Sequence, residues 1–291
     1  MQYVILDLEW NGSYSKKVHR YFNEIIEFGA VKLDENLSLI GTFQAFIKPV
    51  VSKKITNLVT NLTGIDEESL EDGCTFPEAV KKFQKFVGKK SVLLTWSTSD
   101  LLVLLENCKY FLGGERIPFL ERYADAQAYC QMNMEPKYRK QQLGLSSAAE
   151  IAGISGDDLS AHRAKDDSLM TARVFRKLYQ PETFENFVHE ADEEFYERLL
   201  FKPRNVTKIS DPLVRPEYLV FNCPSCGKQL KHVGKWRYSC KMLCTESECC
   251  CGKKYTARVQ IREMFDKVSV RKRLSEFVQP EDESANEGTV E

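Results

Sequence analysis

The sequence predicts an α/β fold, a mixed sheet flanked by helices, followed by a small cysteine-rich module. Three observations carry this. Strand-like stretches come first in hairpin order and then alternate with amphipathic helices, the pattern of a sheet covered on its faces. The opening strand, residues 3–10, is apolar on both faces yet carries two acids. Seven of the ten cysteines fall within residues 223–251.

In chain order, the first strand gives way to a polar loop over residues 11–23. Residues 24–33 then read as a strand ending in the turn Asp34-Glu35-Asn36, and residues 39–47 as its hairpin partner, stopped near Pro49. Residues 55–62 form a short amphipathic helix with Gly64 as its C-cap. Residues 76–87 form a longer one, with Pro77 in the first turn and Phe76, Val80, Phe83 and Val87 on one face. A buried strand over 91–95, a helix over 100–108, a short strand over 120–124 and helices over 126–132, 145–152 and 164–178 complete the first domain, residues 1–180. Residues 181–218 read as an acidic helix and a proline-bearing linker, 219–262 as the cysteine module, and 263–291 as a tail whose end is acidic and disordered.

The 291 residues, 43% hydrophobic and 29% charged, suit one substantial globular domain plus a small one. Asp7 and Glu9 interrupt the first apolar run, so no leader is expected, and no apolar run approaches the roughly 18 residues of a membrane span. A cytoplasmic chain without membrane contact is the resulting expectation. The net charge of −1 conceals an asymmetry: residues 202–273 hold 17 Lys/Arg and 6 Asp/Glu, a net of +11, leaving −12 elsewhere. A basic segment on an acidic body suits a polyanionic partner or a plain solvated surface.

Strand side chains alternate, so Asp7 and Glu9 share a face, about 7 Å apart along the strand. Adjacent carboxylates on an apolar strand repel and lose hydration, which a divalent cation relieves. Asp100 follows a buried strand, where an acid is placed to be a ligand; it equally suits the first turn of a helix. His162 precedes the helix over 164–178, and Asp167 lies beside that helix's apolar stripe while Asp166 points elsewhere.

Together, in this order, these residues resemble the DEDDh 3′–5′ exonucleases of the ribonuclease T/DnaQ type, in the subgroup of KapD and the histone-mRNA 3′ exonuclease. Asp-x-Glu is matched by Asp7 and Glu9, the middle acid by Asp100, and His-x-Ala-x-x-Asp by His162, Ala164 and Asp167. Thr63-Gly64-Ile65 resembles the family's Thr-Gly-Ile turn. The resemblance covers residues 1–180 and implies a ribonuclease H-like core. It implies two Mg²⁺ or Mn²⁺ ions on Asp7, Glu9, Asp100 and Asp167, with Asp7 bridging them, and His162 as general base. Trp10, Leu62 and Thr63 would meet the last nucleotides, although Trp10 and Leu62 suit plain core equally well. Two departures bear on substrate choice: Trp10-Asn11 stands where many relatives carry small residues, and residues 96–100 lack the proofreading form of the middle motif.

In a chain without an export signal, the cysteine cluster favours metal over disulfides. Cys223-Pro224-Ser225-Cys226-Gly227 and Cys249-Cys250-Cys251-Gly252 read as two knuckles of a zinc ribbon with Cys223, Cys226, Cys249 and Cys251 as ligands. Cys240 and Cys244 are spare, and either could replace Cys249. Basic residues interleaved with aromatics, among them Lys235, Trp236, Arg237 and Tyr238, suit single-stranded nucleic acid, and a ribbon can also dock a protein. The expected activity is metal-dependent shortening of single-stranded nucleic acid, RNA favoured, from its 3′ end. The alternatives are a catalytically weak binding regulator and a DNA polymerase proofreading subunit.

Overall fold

The first strand, β1 (Gln2–Ser15), is the centre from which the first unit is built. Its pleat sends Val4, Leu6 and Leu8 into one hydrophobic core and Tyr3 and Ile5 into another. The structure is a computed structural model that describes residues 1–52 and 54–277. It divides into Met1–Leu200 and Phe201–Glu291.

In the first unit, β1 turns back through β2 (Arg20–Leu33), followed by β3 (Leu39–Phe46). Next come α1 (Asn57–Thr63), α2 (Phe76–Val87), β4 (Ser91–Thr95), α3 (Ser99–Leu112), β5 (Arg122–Asp125), α4 (Ala126–Met132), α5 (Leu145–Ile151) and α6 (Ala164–Leu178). A short α7 (Pro181–Phe184), β6 (His189–Glu190) and α8 (Glu193–Leu200) close it. The sheet order is β3-β2-β1-β4-β5-β6. β1 pairs antiparallel with β2 and parallel with β4, so the sheet is mixed as expected. Residues of α2, α3 and α8 cover one face; residues of α4, α5 and α6 cover the other. The start of α2 has a local cause: Thr75 and Glu78 form a reciprocal capping box and Pro77 occupies the first turn.

Two expectations in this unit give way. The loop over 11–23 is instead a continuation of the β1–β2 hairpin, paired to Ser15–Arg20. Its polar residues concealed a strand because alternate positions are still covered: Asn11 and Ser15 are buried, and Phe22 packs on Tyr110 at 4.6 Å between ring centres. The acidic segment 181–200 is not one helix. It breaks at β6, whose residues add to the sheet edge, before α8 packs Phe195 against Tyr123.

The second unit holds β7 (Arg204–Asn205), β8 (Lys231–His232), β9 (Arg237–Ser239), β10 (Met242–Glu248), β11 (Lys254–Glu263) and β12 (Val268–Glu276). Its sheet runs β12-β11-β10-β8, with β7 beside β11 and β9 beside β10. The expected linker over 202–216 belongs to this unit: Val206 is buried, and Arg204 pairs with Asp211 and with Glu263. The expected tail begins with a strand, because Val268, Val270 and Leu274 alternate onto the core of Phe221, Leu243, Val259 and Ile261. The acidic end expected to be disordered, 278–291, lies outside the described residues.

Candidate active site

The site forms where α6 meets β1 and β2. A side chain at Gly29 of β2 would place its Cβ 2.0 Å from the backbone of Ala164 and Lys165, so the first turn of α6 lies directly on the sheet. Ser168 Oγ secures it by donating to Gly29 O at 2.8 Å. This approach carries Asp167 to Asp7 and Glu9, and one carboxylate oxygen of each lies within 4.8 Å of the others.

Asp100 joins from α3. The β1–β4 ladder ends at Ile5–Leu94, leaving the β1 backbone beyond it without a strand partner on that side. Asp100 Oδ1 accepts the Leu8 N–H at 3.1 Å, between the two acids of β1. The carboxylate therefore reaches across to β1, and no side chain caps the start of α3. His162 is exposed, with φ of 60°, and its backbone N–H donates to Asp167 Oδ2 at 3.0 Å. Asp166 is occupied elsewhere, accepting from Ser160 N at 3.0 Å.

A further acid belongs to the site and was not singled out from sequence. Glu27 lies opposite Glu9 in the β1–β2 register and is fully buried. Gln44 Nε2 donates to it at 2.6 Å, and the Arg163 guanidinium approaches both of its oxygens at 3.4 Å. Arg163 sits between His162 and Ala164, so this ion pair ties the His162 segment to the sheet. The signal in the sequence was Glu27 within an apolar strand; its relevance needed the register with Glu9.

Burial first, then the charges of Asp100, Asp167, Glu9 and Glu27, hold the Asp7 carboxyl well above its ordinary range. Glu9 is pushed up to about 8 by burial and then by Asp167, Glu27 and Asp100, with Arg163 opposing. Asp100 is pushed up to about 7 by burial. Asp167 is raised by burial, against His162. Such a group resists full ionisation by itself, and its donors are all oxygen. Hard divalent cations fit both properties.

At the rim, Trp10 is half-buried against the α2–α3 core, beside an irregularity in register at Glu9–Trp10. Leu62 is exposed on α1. Thr63 is buried, its hydroxyl donating to Val59 O and accepting from Ile65 N, which occupies it in the turn at Gly64. Two residues not anticipated hold the segment that leads into α1. Asn11 bonds Ser52, Lys54 and Thr56, and the Glu24 carboxylate accepts the N–H groups of Val50, Val51 and Ser52.

In the second unit the sulfurs of Cys223, Cys226, Cys249 and Cys251 lie within 4.8 Å of one another, while Cys240, Cys244 and Cys250 stand outside that group. Cys223 and Cys251 are 3.7 Å apart, and Cys226 and Cys249 3.3 Å. Four thiolates about 2.3 Å from a tetrahedral zinc would be about 3.8 Å apart, so the group fits that ion. Gly227 and Gly252, both at positive φ, close matching turns after each pair. The Tyr255 hydroxyl lies 3.5 Å from Cys223 Sγ. Trp236 is half-buried against the core, with its ring 5.0 Å from His232, rather than free to stack on a base.

Residues 4–175 match the family described as RNase_T, exonuclease. The chain is 27% identical over 186 residues to the probable 3′-5′ exonuclease KapD of Bacillus subtilis, spanning 62% of this chain and 86% of that protein. It is 36% identical over 179 residues to the DNA polymerase III PolC-type protein of Caldanaerobacter subterraneus, 62% of this chain but 12% of that one. The structure of the nuclease domain of 3′hExo, a DEDDh family member bound to rAMP, is 25% identical with a TM-score of 0.50, covering 61% of this chain and 90% of that one. No helix among the described residues is long and apolar enough to cross a membrane. The family match, falling on the unit that gathers these acids, establishes that the chain belongs to the RNase_T exonuclease family, as an enzyme of the DEDDh 3′–5′ type.

Proposed function

We propose that the chain hydrolyses phosphodiester bonds at the 3′ end of single-stranded nucleic acid, RNA favoured over DNA, with Asp7, Glu9, Asp100 and Asp167 holding two Mg²⁺ or Mn²⁺ ions. The convergence of the Asp7, Glu9 and Asp167 oxygens within 4.8 Å, with Asp100 bonded to the backbone between the first two, carries this reading. When bound, the ions supply charge neutralisation at the attacking and leaving oxygens. Asp7, whose carboxyl feels Asp100, Asp167 and Glu9 together, would serve both ions; Glu9 and Asp167 would complete one set and Asp100 the other.

His162 is assigned as the base that takes the proton of the attacking water. Its exposure supports access to solvent, and its backbone bond to Asp167 supports a fixed approach to the acids. Exposed Leu62 and half-buried Trp10 are assigned to the terminal nucleotides, with Thr63 holding the turn that presents Leu62. Cys223, Cys226, Cys249 and Cys251 are assigned to a structural zinc.

The lean to RNA draws support from 3′hExo, whose nuclease domain is bound to rAMP. Initial rates on matched RNA and DNA 20-mers test it. Faster release of ribonucleotides is expected. Faster release of deoxyribonucleotides would overturn the lean to RNA, and a preference for mismatched over paired DNA ends on primer–template duplexes would favour the proofreading reading.

A further inference from the structure

The register of the second unit sorts its charges onto one face of the sheet. Tyr255, Ala257, Val259 and Ile261 of β11 are buried, so Arg258 and Gln260 face the opposite way. Arg258 stands directly opposite Arg273 of β12 and, across Cys244 of β10, in line with Arg237 of β9. Arg271 stands opposite Gln260, one row along. With strands about 4.8 Å apart and same-face residues about 7 Å apart, the four arginines cover a patch roughly 14 Å by 7 Å. Arg237, Arg271 and Arg273 are exposed. Lys272, between the last two, turns to the inner side and donates to Glu217 O at 2.8 Å and Val220 O at 2.9 Å.

No acid shares these rows. Glu246, opposite Thr256, borders the patch one row from Arg258 on the side away from Arg271, and Glu248, a row beyond, is paired with Lys254 at 3.1 Å. Like charges directly opposite across strands destabilise a sheet. Arg258 and Arg273 are such a pair, and an anion laid across the face relieves their repulsion. The neighbouring polar groups suit phosphate: Arg258 Nη1 donates to Ser275 Oγ at 2.7 Å.

We propose that this arginine face binds the phosphate backbone of a single nucleic-acid strand, with little regard to base or sugar. The inference takes its ligand class from the proposed 3′-end activity of the first unit. Guanidinium forks match phosphate geometry, and a charged groove tracks a strand without reading it. Aromatic rings are absent from these rows: Tyr255 is buried, and Tyr238 opposes Leu243 on the other side. Affinity here is therefore electrostatic rather than from base stacking. The rows also present no large exposed apolar side chain to enter a lipid surface.

The test is fluorescence anisotropy of the full-length, zinc-loaded chain with 5′-fluorescein U20 RNA and its dT20 counterpart in buffer without added Mg²⁺ or Mn²⁺, across 50–300 mM KCl. Withholding these ions prevents hydrolysis and spares the zinc, and the strand is verified intact on a gel. Combined Arg237→Ala, Arg271→Ala and Arg273→Ala should lower affinity about tenfold at 100 mM salt and reduce the salt slope by about 2, as loss of three single-strand phosphate contacts predicts. The matching triple Lys variant should keep most of the affinity, and RNA and DNA should bind within a few-fold. An Ala variant that melts like the wild type and binds with unchanged affinity and slope would overturn the proposal. So would tighter binding to phosphatidylserine vesicles than to either oligonucleotide. A wild-type chain that binds in this arginine-dependent way but shortens no strand in Mg²⁺ would refute the proposed activity and leave this face standing.

Discussion

Glu9 illustrates how function and stability conflict at a single residue. Its carboxyl is raised to about 8 and that of Asp100 to about 7, from ordinary values near 4. A raised carboxylate favours the fold in its protonated form. The stabilisation is full below about pH 4 and is lost as pH climbs through 7 to 8. Metal-free protein should therefore melt progressively lower between pH 5 and pH 8.5, and Mg²⁺ should reverse the loss at the alkaline end. Glu9→Gln should melt higher than the wild type at pH 8 in EDTA, at about 2–4 °C per kcal/mol of relieved repulsion, while losing turnover. A flat melting profile in EDTA would contradict this. Arg163→Met should leave Glu27 buried beside the site without its cation, and turnover should fall roughly 10–100-fold, as for other partners behind a metal-binding set. Asp7, Glu9 and Asp167 were legible as residues because period-2 and period-3.6 patterns fix which face a side chain takes. Glu27 was not, since its nearness to Glu9 follows from strand register, which no local pattern specifies.

At the scale of elements, the site depends on one close approach. Gly29 lets the start of α6 rest on β2, and nothing larger fits without moving backbone. Gly29→Ala should destabilise the first unit by about 2–4 kcal/mol, read as a fall in melting temperature, and should impair turnover by displacing Asp167. Unchanged melting would show that α6 is less tightly seated. In the second unit, Cys226→Ser should lower bound zinc below one per chain and weaken the fold, whereas Cys250→Ser should change neither. Phe76–Val87 was readable because its capping box is local, and Ala164–Leu178 because its apolar stripe is. The hairpin over Asn11–Asn23 and the strand Val268–Glu276 were not, because polar composition outweighed an alternation that only pairing makes visible.

At the scale of the molecule, the chain joins an acidic nuclease unit to a basic, cysteine-centred one. The charge asymmetry was visible in composition. Its organisation was not, because Arg237, Arg258 and Arg273 are far apart in sequence and meet in one row only when β9 to β12 pair. Whether the acids of the first unit carry a metal-dependent 3′–5′ exonuclease is decided by one gel. A 5′-labelled single strand is incubated with wild-type or Asp7→Asn protein in Mg²⁺, Mn²⁺ or EDTA and resolved to single nucleotides. With the wild type a ladder shortening from the 3′ end is expected, only in the divalent cation, and with Asp7→Asn an intact strand. A wild-type ladder in EDTA, or an Asp7→Asn variant as active as the wild type, would contradict that role of the acids.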